Sequence, residues 1–416
     1  AYARWRETVL QSRSTAVRDD VAETMVAGPG GVRPRTSMKV MLSILDGDVA
    51  APPKYAAIAA PALAIYASKD VADQIPPATP AARREEIIEY FRRHIRPWML
   101  RSEADFIVLD PEATPLLVAH NNGSFDENGL RSEKPIMPRS CAQVVEAFLA
   151  GKVNVIHLLS PMTVWARFGS RVPAKVVAWN HVGGSGLTVA PRVQKLSDLG
   201  GKTVAIPFWY SIHNVVLQAL LRQSGLEPVA LKQGEQPAPN QVSLVVLAPP
   251  DMPPALASGR VEGYIVAEPF NAAAEAKNIG KILRFTGDVW RDHACCVVFM
   301  HERDLEQRPE WSQKVVDAIV KAQLWTRDHR EQAAELLATD GKHQYTPHPS
   351  AILKRVLAPA ADAQSGYAAT GAIQHADWNA RRIDFQPFPY PSYTEELVRR
   401  LKQTVVDGST DFLSSL

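Results

Sequence analysis

The chain of 416 residues carries 46 basic and 44 acidic side chains, a formal net charge of +2, with 46% hydrophobic and 22% charged residues. So balanced a charge selects neither nucleic acid nor an anionic membrane as partner, and this length calls for more than one compact unit, because single cores stop growing at roughly 250–300 residues. Cys141 and the adjacent pair Cys295-Cys296 are the only cysteines; they exclude a disulfide framework, lack metal-ligand spacing and read as buried thiols. No apolar run approaches the ~20 residues of a membrane span. The opening Ala1-Tyr2-Ala3-Arg4-Trp5 has no basic-then-apolar leader, so any targeting segment is expected to be absent or already removed.

Residues 1–104 differ in texture from the rest. They hold a Gly/Pro loop at Gly28-Pro29-Gly30-Gly31, breaks at Pro52-Pro53 and Pro76-Pro77, and a basic amphipathic helix over 82–93 that reads as a solvated face. Within this unit the segment 55–70 runs through an apolar strand to Asp70. It resembles the late strand of α/β-hydrolases, where an acid orients the catalytic histidine. The G-x-S-x-G elbow is missing from 1–69, and so is any histidine. The unit therefore reads as an incomplete hydrolase-like α/β fragment or a helical appendage, not as a working esterase.

From 105 onward short apolar strands alternate with helices, which is the α/β pattern. A strand at 106–109 leads through Asp110, Glu112 and Thr114 to a helix over 116–121, and Ser140 caps a helix at 143–150 that Gly151 ends before a strand at 153–159. Further strands are expected at 175–179, 187–190, 203–207, 242–248, 261–266 and 295–300, and helices at 311–338 and 392–406. His157, on an apolar strand, reads as a satisfied core residue. His293, Cys295 and Cys296 should not converge on one metal, because successive side chains of a strand alternate between faces, so His293 is given a structural role. Gly183-Gly184-Ser185-Gly186 lacks the spacing and lysine of a P-loop and reads as a tight turn beside His181. Asp110 with Glu112 is loop chemistry rather than a catalytic pair.

The most informative stretch is 202–218, KTVAIPFWYSIHNVVLQ, a buried strand entering a helix through a polar, aromatic turn. Ser211 can cap that helix, whose first turn offers unpaired N–H groups and the positive end of the dipole to an anion. Trp209, Tyr210, His213 and Asn214 would add stacking surface and directional donors. The turn alone equally allows an ordinary strand–helix connection with core aromatics.

Several segments in order resemble ABC-importer solute-binding proteins of the nitrate/sulfonate/bicarbonate group. They are 113–119 with the G-x-F-x-x-x-G-L signature at 123–130, the helix–Gly–strand step at 149–162, the crossover at 196–205, the return segment at 263–271, 290–297 and the closing 384–393. The match covers about residues 105–416. The resemblance implies a type II periplasmic-binding-protein-like fold: α/β, with two lobes and a ligand cleft closed by hinge motion, preceded by the extra N-terminal fragment. The lobes would be 105–194 with 289–416, and 195–288.

It also implies a binding protein rather than an enzyme. Such a protein captures a small anion or small organic solute and delivers it to a membrane permease with ATPase subunits, on the periplasmic or another extracytoplasmic side of the membrane. Carried over by position, the cleft residues are Thr114, Asn121, Ser160, Met162, Gly184, Ser185, Trp209, Tyr210, Ser211, His213, Glu268 and Asn271. Glu268 stands where nitrate-binding members tend to carry lysine, and a buried carboxylate opposes a bare anion. Two readings follow: a Ca²⁺-assisted oxyanion site, as in bicarbonate-binding members, or a neutral or cationic organic ligand with Glu268 as acceptor. Otherwise no cofactor is implied. The alternatives are a pyrimidine-synthase-like enzyme on the same fold, whose cysteine cluster is reduced here to Cys295-Cys296, and a ligand sensor or fusion protein.

Overall fold

The computed structural model of the chain describes residues 25–28, 31–34, 106–107, 113–130, 132, 135, 140–232, 234–378 and 382–416. Two units divide it, Ala1–Leu100 and Arg101–Leu416. In the first, β1 (Met25–Gly28) and β2 (Gly31–Pro34) form an antiparallel hairpin. The helix expected at 82–93, the hydrolase-like segment ending at Asp70, and Asp110 with Glu112 lie outside the described residues.

The second unit contains β3 (Phe106–Ile107), β4 (Val155–Leu159), β5 (Ala174–Gly183), β6 (Ser185–Val189), β7 (Lys202–Ile206), β8 (Glu227–Val229), β9 (Gln241–Val246), β10 (Gly263–Ala267), β11 (Lys281–Phe285), β12 (Ala294–His301) and β13 (Ile383–Asp384). They make a five-stranded sheet ordered β13-β5-β12-β4-β3 and a six-stranded sheet ordered β11-β6-β10-β7-β9-β8. Strands β10, β7, β9 and β8 run parallel to one another, whereas β6 is antiparallel to both β10 and β11. In the five-stranded sheet β12 is antiparallel to β4 and to β5. Strand β4 is buried at every position, which is why it reads as a continuous apolar run.

The chain leaves one sheet and enters the other at Gly183 and Gly184. Both have positive φ, 62° and 80°, where a side chain is strained. A Cβ on Gly184 would sit 3.0 Å from Ile383 Cγ1 and 3.2 Å from His181 Nδ1. The strand expected at 187–190 thus begins at Ser185 and belongs to the six-stranded sheet.

Helices α1 (Thr114–Asn121), α2 (Cys141–Leu149), α3 (Ser160–Val164), α4 (Ile212–Gln223), α5 (Phe270–Ala276), α6 (Pro309–Asp328), α7 (Arg330–Leu337) and α8 (Pro391–Leu401) are among those that flank the sheets. Ser140 caps α2, its hydroxyl accepting from the Gln143 amide. The single helix expected at 311–338 is two helices. At His329 the backbone leaves helical geometry, and the imidazole stacks on Trp325 with Nδ1 2.8 Å from the Trp325 carbonyl, so a side chain ends α6 without Gly or Pro. Beyond α8 the chain returns to α4. Asn214 and Gln218 donate to the Val405 carbonyl at 3.1 and 2.8 Å, the Val405 amide donates to Gln218 Oε1 at 2.8 Å, and Tyr210 donates to the Ser409 carbonyl at 3.0 Å.

Candidate functional site

Ser211 sits in extended backbone at the end of the turn after β7, and its hydroxyl accepts from the Asn214 amide at 3.0 Å, which fixes the start of α4. That cap presents His213 on the first turn, buried at 1% exposure. Its Nε2 shares a hydrogen bond with Ser185 Oγ at 2.9 Å, and Ser185 is the first residue after the crossing glycines. Cys295 of the five-stranded sheet completes the contact, with its sulfur 3.6 Å from Ser185 Oγ and 3.9 Å from His213 Nε2. Two residues of one sheet's layer and one of the other therefore meet in a buried polar seam.

Around this seam lie more imidazoles and a second thiol. His157 and His181 have ring centroids 5.9 Å apart, and Asn180 Nδ2 is 3.0 Å from His157 Nε2. His293 Nδ1 is 2.6 Å from the Trp290 carbonyl. A carbonyl only accepts, so Nδ1 carries the hydrogen and Nε2 the lone pair. Buried imidazole nitrogens normally find a partner, yet His157 Nδ1, His213 Nδ1 and His293 Nε2 have no protein hydrogen bond. His157 is buried in the core as expected, but only its Nε2 has a protein hydrogen bond.

The two sulfurs also approach each other, although among the described residues His293 does not join them in a metal-like cluster, as expected. The pairing of β12 with β5 shifts register between Ala294 and Cys296 and again between Cys296 and Val297. Such a bulge turns neighbouring side chains toward one side. Cys295 and Cys296 Sγ stand 4.0 Å apart, and donor atoms of His157, His181 and Cys296 all lie within 4.8 Å of one another.

The environment sets the charges. Burial, with nearby His181, lowers His157 to about 3, and burial lowers His293 to about 4, so both are neutral at neutral pH. Burial pushes the Cys295 thiol up, but the hydrogen bond with Cys296 and the interactions with the neighbouring His213 and His181 rings outweigh it and hold the thiol well below the usual cysteine range.

Of the remaining residues expected at the cleft, Ser160 donates to the Ala294 carbonyl at 2.6 Å and lies 3.0 Å from the Tyr393 hydroxyl, one step from Cys295. Gly184 lies at the crossing, where its amide donates to the Arg382 carbonyl and its carbonyl accepts from the Glu268 amide at 2.8 Å. The other residues face elsewhere. Tyr210 stacks on Trp165 and reaches Ser409; Trp209 is half-buried, with its carbonyl accepting from Asn214. Met162 is fully buried in the core, Asn121 bonds its neighbour Asn122, and Asn271 is engaged by Thr188 and the Val266 carbonyl. Thr114 lines a small cavity with Glu268, Pro269 and Leu337.

Glu268 is not a lone carboxylate. One oxygen accepts from Arg382 Nη1 at 2.7 Å and the other from the Ala272 amide at 3.0 Å. Arg382, itself 3% exposed, also binds Glu275 at 2.9 Å and lies over the rings of Phe285 and Tyr367. On its outer side Tyr393 lines a groove of about 640 Å³ whose walls include Trp179, Trp290, Tyr390 and Arg291.

Sequence reasoning did not place Arg382, Tyr393 or the two thiols beside these residues, and of them only the thiols carried a signal, in the run from Trp290 to Cys296.

The NMT1-like family model matches residues 107–339, more than half of the chain. The chain belongs to the NMT1-like family. Among curated proteins it is 24% identical over 266 residues to the nitrate/nitrite binding protein NrtA of Nostoc sp. PCC 7120, covering 59% of this chain and 58% of that protein. It is 28% identical over 254 residues to the taurine-binding periplasmic protein of Escherichia coli K12, covering 60% of this chain and 68% of that protein. The chain thus spans just under three fifths of the length of the NrtA relative. Among solved structures, the periplasmic nitrate-binding protein NrtA from Synechocystis PCC 6803 superposes with a TM-score of 0.62 at 17% identity, over 76% of this chain and 84% of that one. The NMT1-like region therefore has the periplasmic-binding-protein fold.

Proposed function

We propose that this NMT1-like chain is the solute-binding component of an ABC importer. It captures a small anion or small organic solute between its two sheets, outside the cytoplasm, and passes it to a membrane permease with ATPase subunits. It performs no chemistry of its own. The observation that carries this reading is the buried seam of Ser185, His213 and Cys295, in which polar groups of both layers face one another. A closed cleft needs such a seam to hold a small polar solute away from water. The relatives with nitrate/nitrite and taurine in their names support the solute class. We assign lobe 1 to 105–183 with 289–416 and lobe 2 to 185–288, with the boundary at Gly184, ten residues before the expected one.

Ser160, Gly184, Ser185, Ser211 and His213 form the inner set. The Arg382 pair neutralises Glu268 and so removes the electrostatic objection to an anion. Both oxygens of that carboxylate are engaged, and Ca²⁺ takes ~6–8 oxygen ligands. The residues at Glu268 do not fit a bridging Ca²⁺, and the Ca²⁺-assisted variant is set aside. The enzyme alternative gains nothing from the turn at 207–213, which holds no lysine.

The test is a thermal-shift screen of the full chain against nitrate, bicarbonate with and without Ca²⁺, taurine and other alkanesulfonates, and pyrimidines. A solute at ~100 times its Kd should stabilise the fold by about 2.7 kcal/mol. His213→Ala is expected to abolish that shift. No shift with any solute, or one that His213→Ala leaves intact, would sink the proposal.

A further inference from the structure

His157, His181 and Cys296 come from three neighbouring strands of one sheet, β4, β5 and β12. Each is at most 2% exposed, and one donor atom from each lies within 4.8 Å of the other two. Two imidazoles and a thiolate bound to one cation at about 2.0–2.3 Å would stand roughly 3.3–3.7 Å apart, so small side-chain rotations close the gap. We propose that these three residues form a binding site for a borderline, Zn²⁺-class transition-metal cation, with a fourth coordination position left open.

The donor chemistry selects that class. The set contains nitrogen and sulfur and no carboxylate, which turns away Mg²⁺ and Ca²⁺ and suits Zn²⁺ and its neighbours. His157 offers the buried Nδ1, which has no protein hydrogen bond. Asn180 stands 3.0 Å from Nε2, and an amide can present either edge. With its oxygen toward the ring it accepts Nε2–H and leaves the Nδ1 lone pair for the metal, which makes Asn180 a positioning residue. On binding, Cys296 gives up its thiol proton to solvent as the metal–sulfur bond forms. Cys295 Sγ, 4.0 Å from Cys296 Sγ, borders the open position toward His213 and Ser185. Strand register makes the site: Cys296 pairs directly with His181 and lies two residues from Val298, the partner of His157, so the three side chains share one face, while the bulge beside Cys296 brings Cys295 next to them.

The site stands independently of which solute the chain captures, and its test uses metal alone. The full chain, reduced and stripped with a chelator, is titrated with Co²⁺ in the absence of anionic solutes. One equivalent should bind with a near-ultraviolet sulfur-to-cobalt charge-transfer band and the visible bands of tetrahedral Co²⁺, and one equivalent of Zn²⁺ should erase them. Cys296→Ser should remove the charge-transfer band, Cys141→Ser should keep it, and Asn180→Ala should weaken binding about 10–100-fold. A wild-type chain without the band, or a band that survives in Cys296→Ser, overturns the site. If Cys296→Ser fails to fold, X-ray absorption of the Zn²⁺-loaded wild type decides: a shell containing one sulfur and two imidazoles supports the site, and a shell without sulfur refutes it. A solute shift without a metal response would defeat this inference and leave the transport reading standing.

Discussion

A histidine kept neutral by burial makes a protein sensitive to acid. His293 titrates near 4 and His157 near 3 in the folded chain, against 6.5 when unfolded. The unfolded chain therefore takes up protons first as pH falls below about 6.5, and stability drops from there to about 4 for His293 and on to about 3 for His157. Shifts of this size are worth roughly 3 kcal/mol for His293 and roughly 5 kcal/mol for His157 at the acid end. Glu268 works in the opposite sense: burial raises its carboxyl, so the folded state gains on protonating it and offsets part of the loss. Urea midpoints measured from pH 7 to 4.5 should fall steadily, and an unchanged midpoint would contradict neutral burial of these rings. At this scale the sequence was readable where local rules apply. Ser211 and His213 were visible because a cap and the first turn after it are local. The partners of His213 and Glu268 were not, since Ser185, Cys295 and Arg382 arrive from distant segments and no spacing encodes them.

At the scale of elements, α4 is the part that orients the site. Its cap is one hydroxyl, so Ser211→Ala should cost about 1 kcal/mol, read as a lower denaturation midpoint, and should weaken solute capture by displacing His213. A midpoint shift with affinity untouched would show that the first turn holds itself. The alternation of strand and helix from 105 onward was legible because apolar runs and caps repeat regularly. Two departures were not. The break at His329 depends on an imidazole folding back onto Trp325 instead of a helix breaker. The bulge in β12 depends on pairing with β5, and it is what brings Cys295 and Cys296 together. Strand periodicity, taken alone, says nothing of this approach.

For the whole molecule, the pair of Glu268 and Arg382 joins the end of β10 to the segment entering β13, and so ties the six-stranded sheet to the five-stranded one. Removing one partner of a buried pair costs about 3–5 kcal/mol. Glu268→Ala should fall near the lower end, because Glu275 still accepts from Arg382 at 2.9 Å. Chemical denaturation measures it; a cost below ~1 kcal/mol would mean that the pair is no tie.

The return of the chain end to α4 has its own bearing on motion. The amide and carbonyl of Val405 are both held by side chains of the helix that carries His213, while α8 just before it packs on α3 beside the other sheet. The few residues from Leu401 to Val405 are then a tether of fixed length between the two layers. On the proposed transport reading, a jaw on so short a leash would open only as far as the leash allows, so the swing would be bounded by the chain itself.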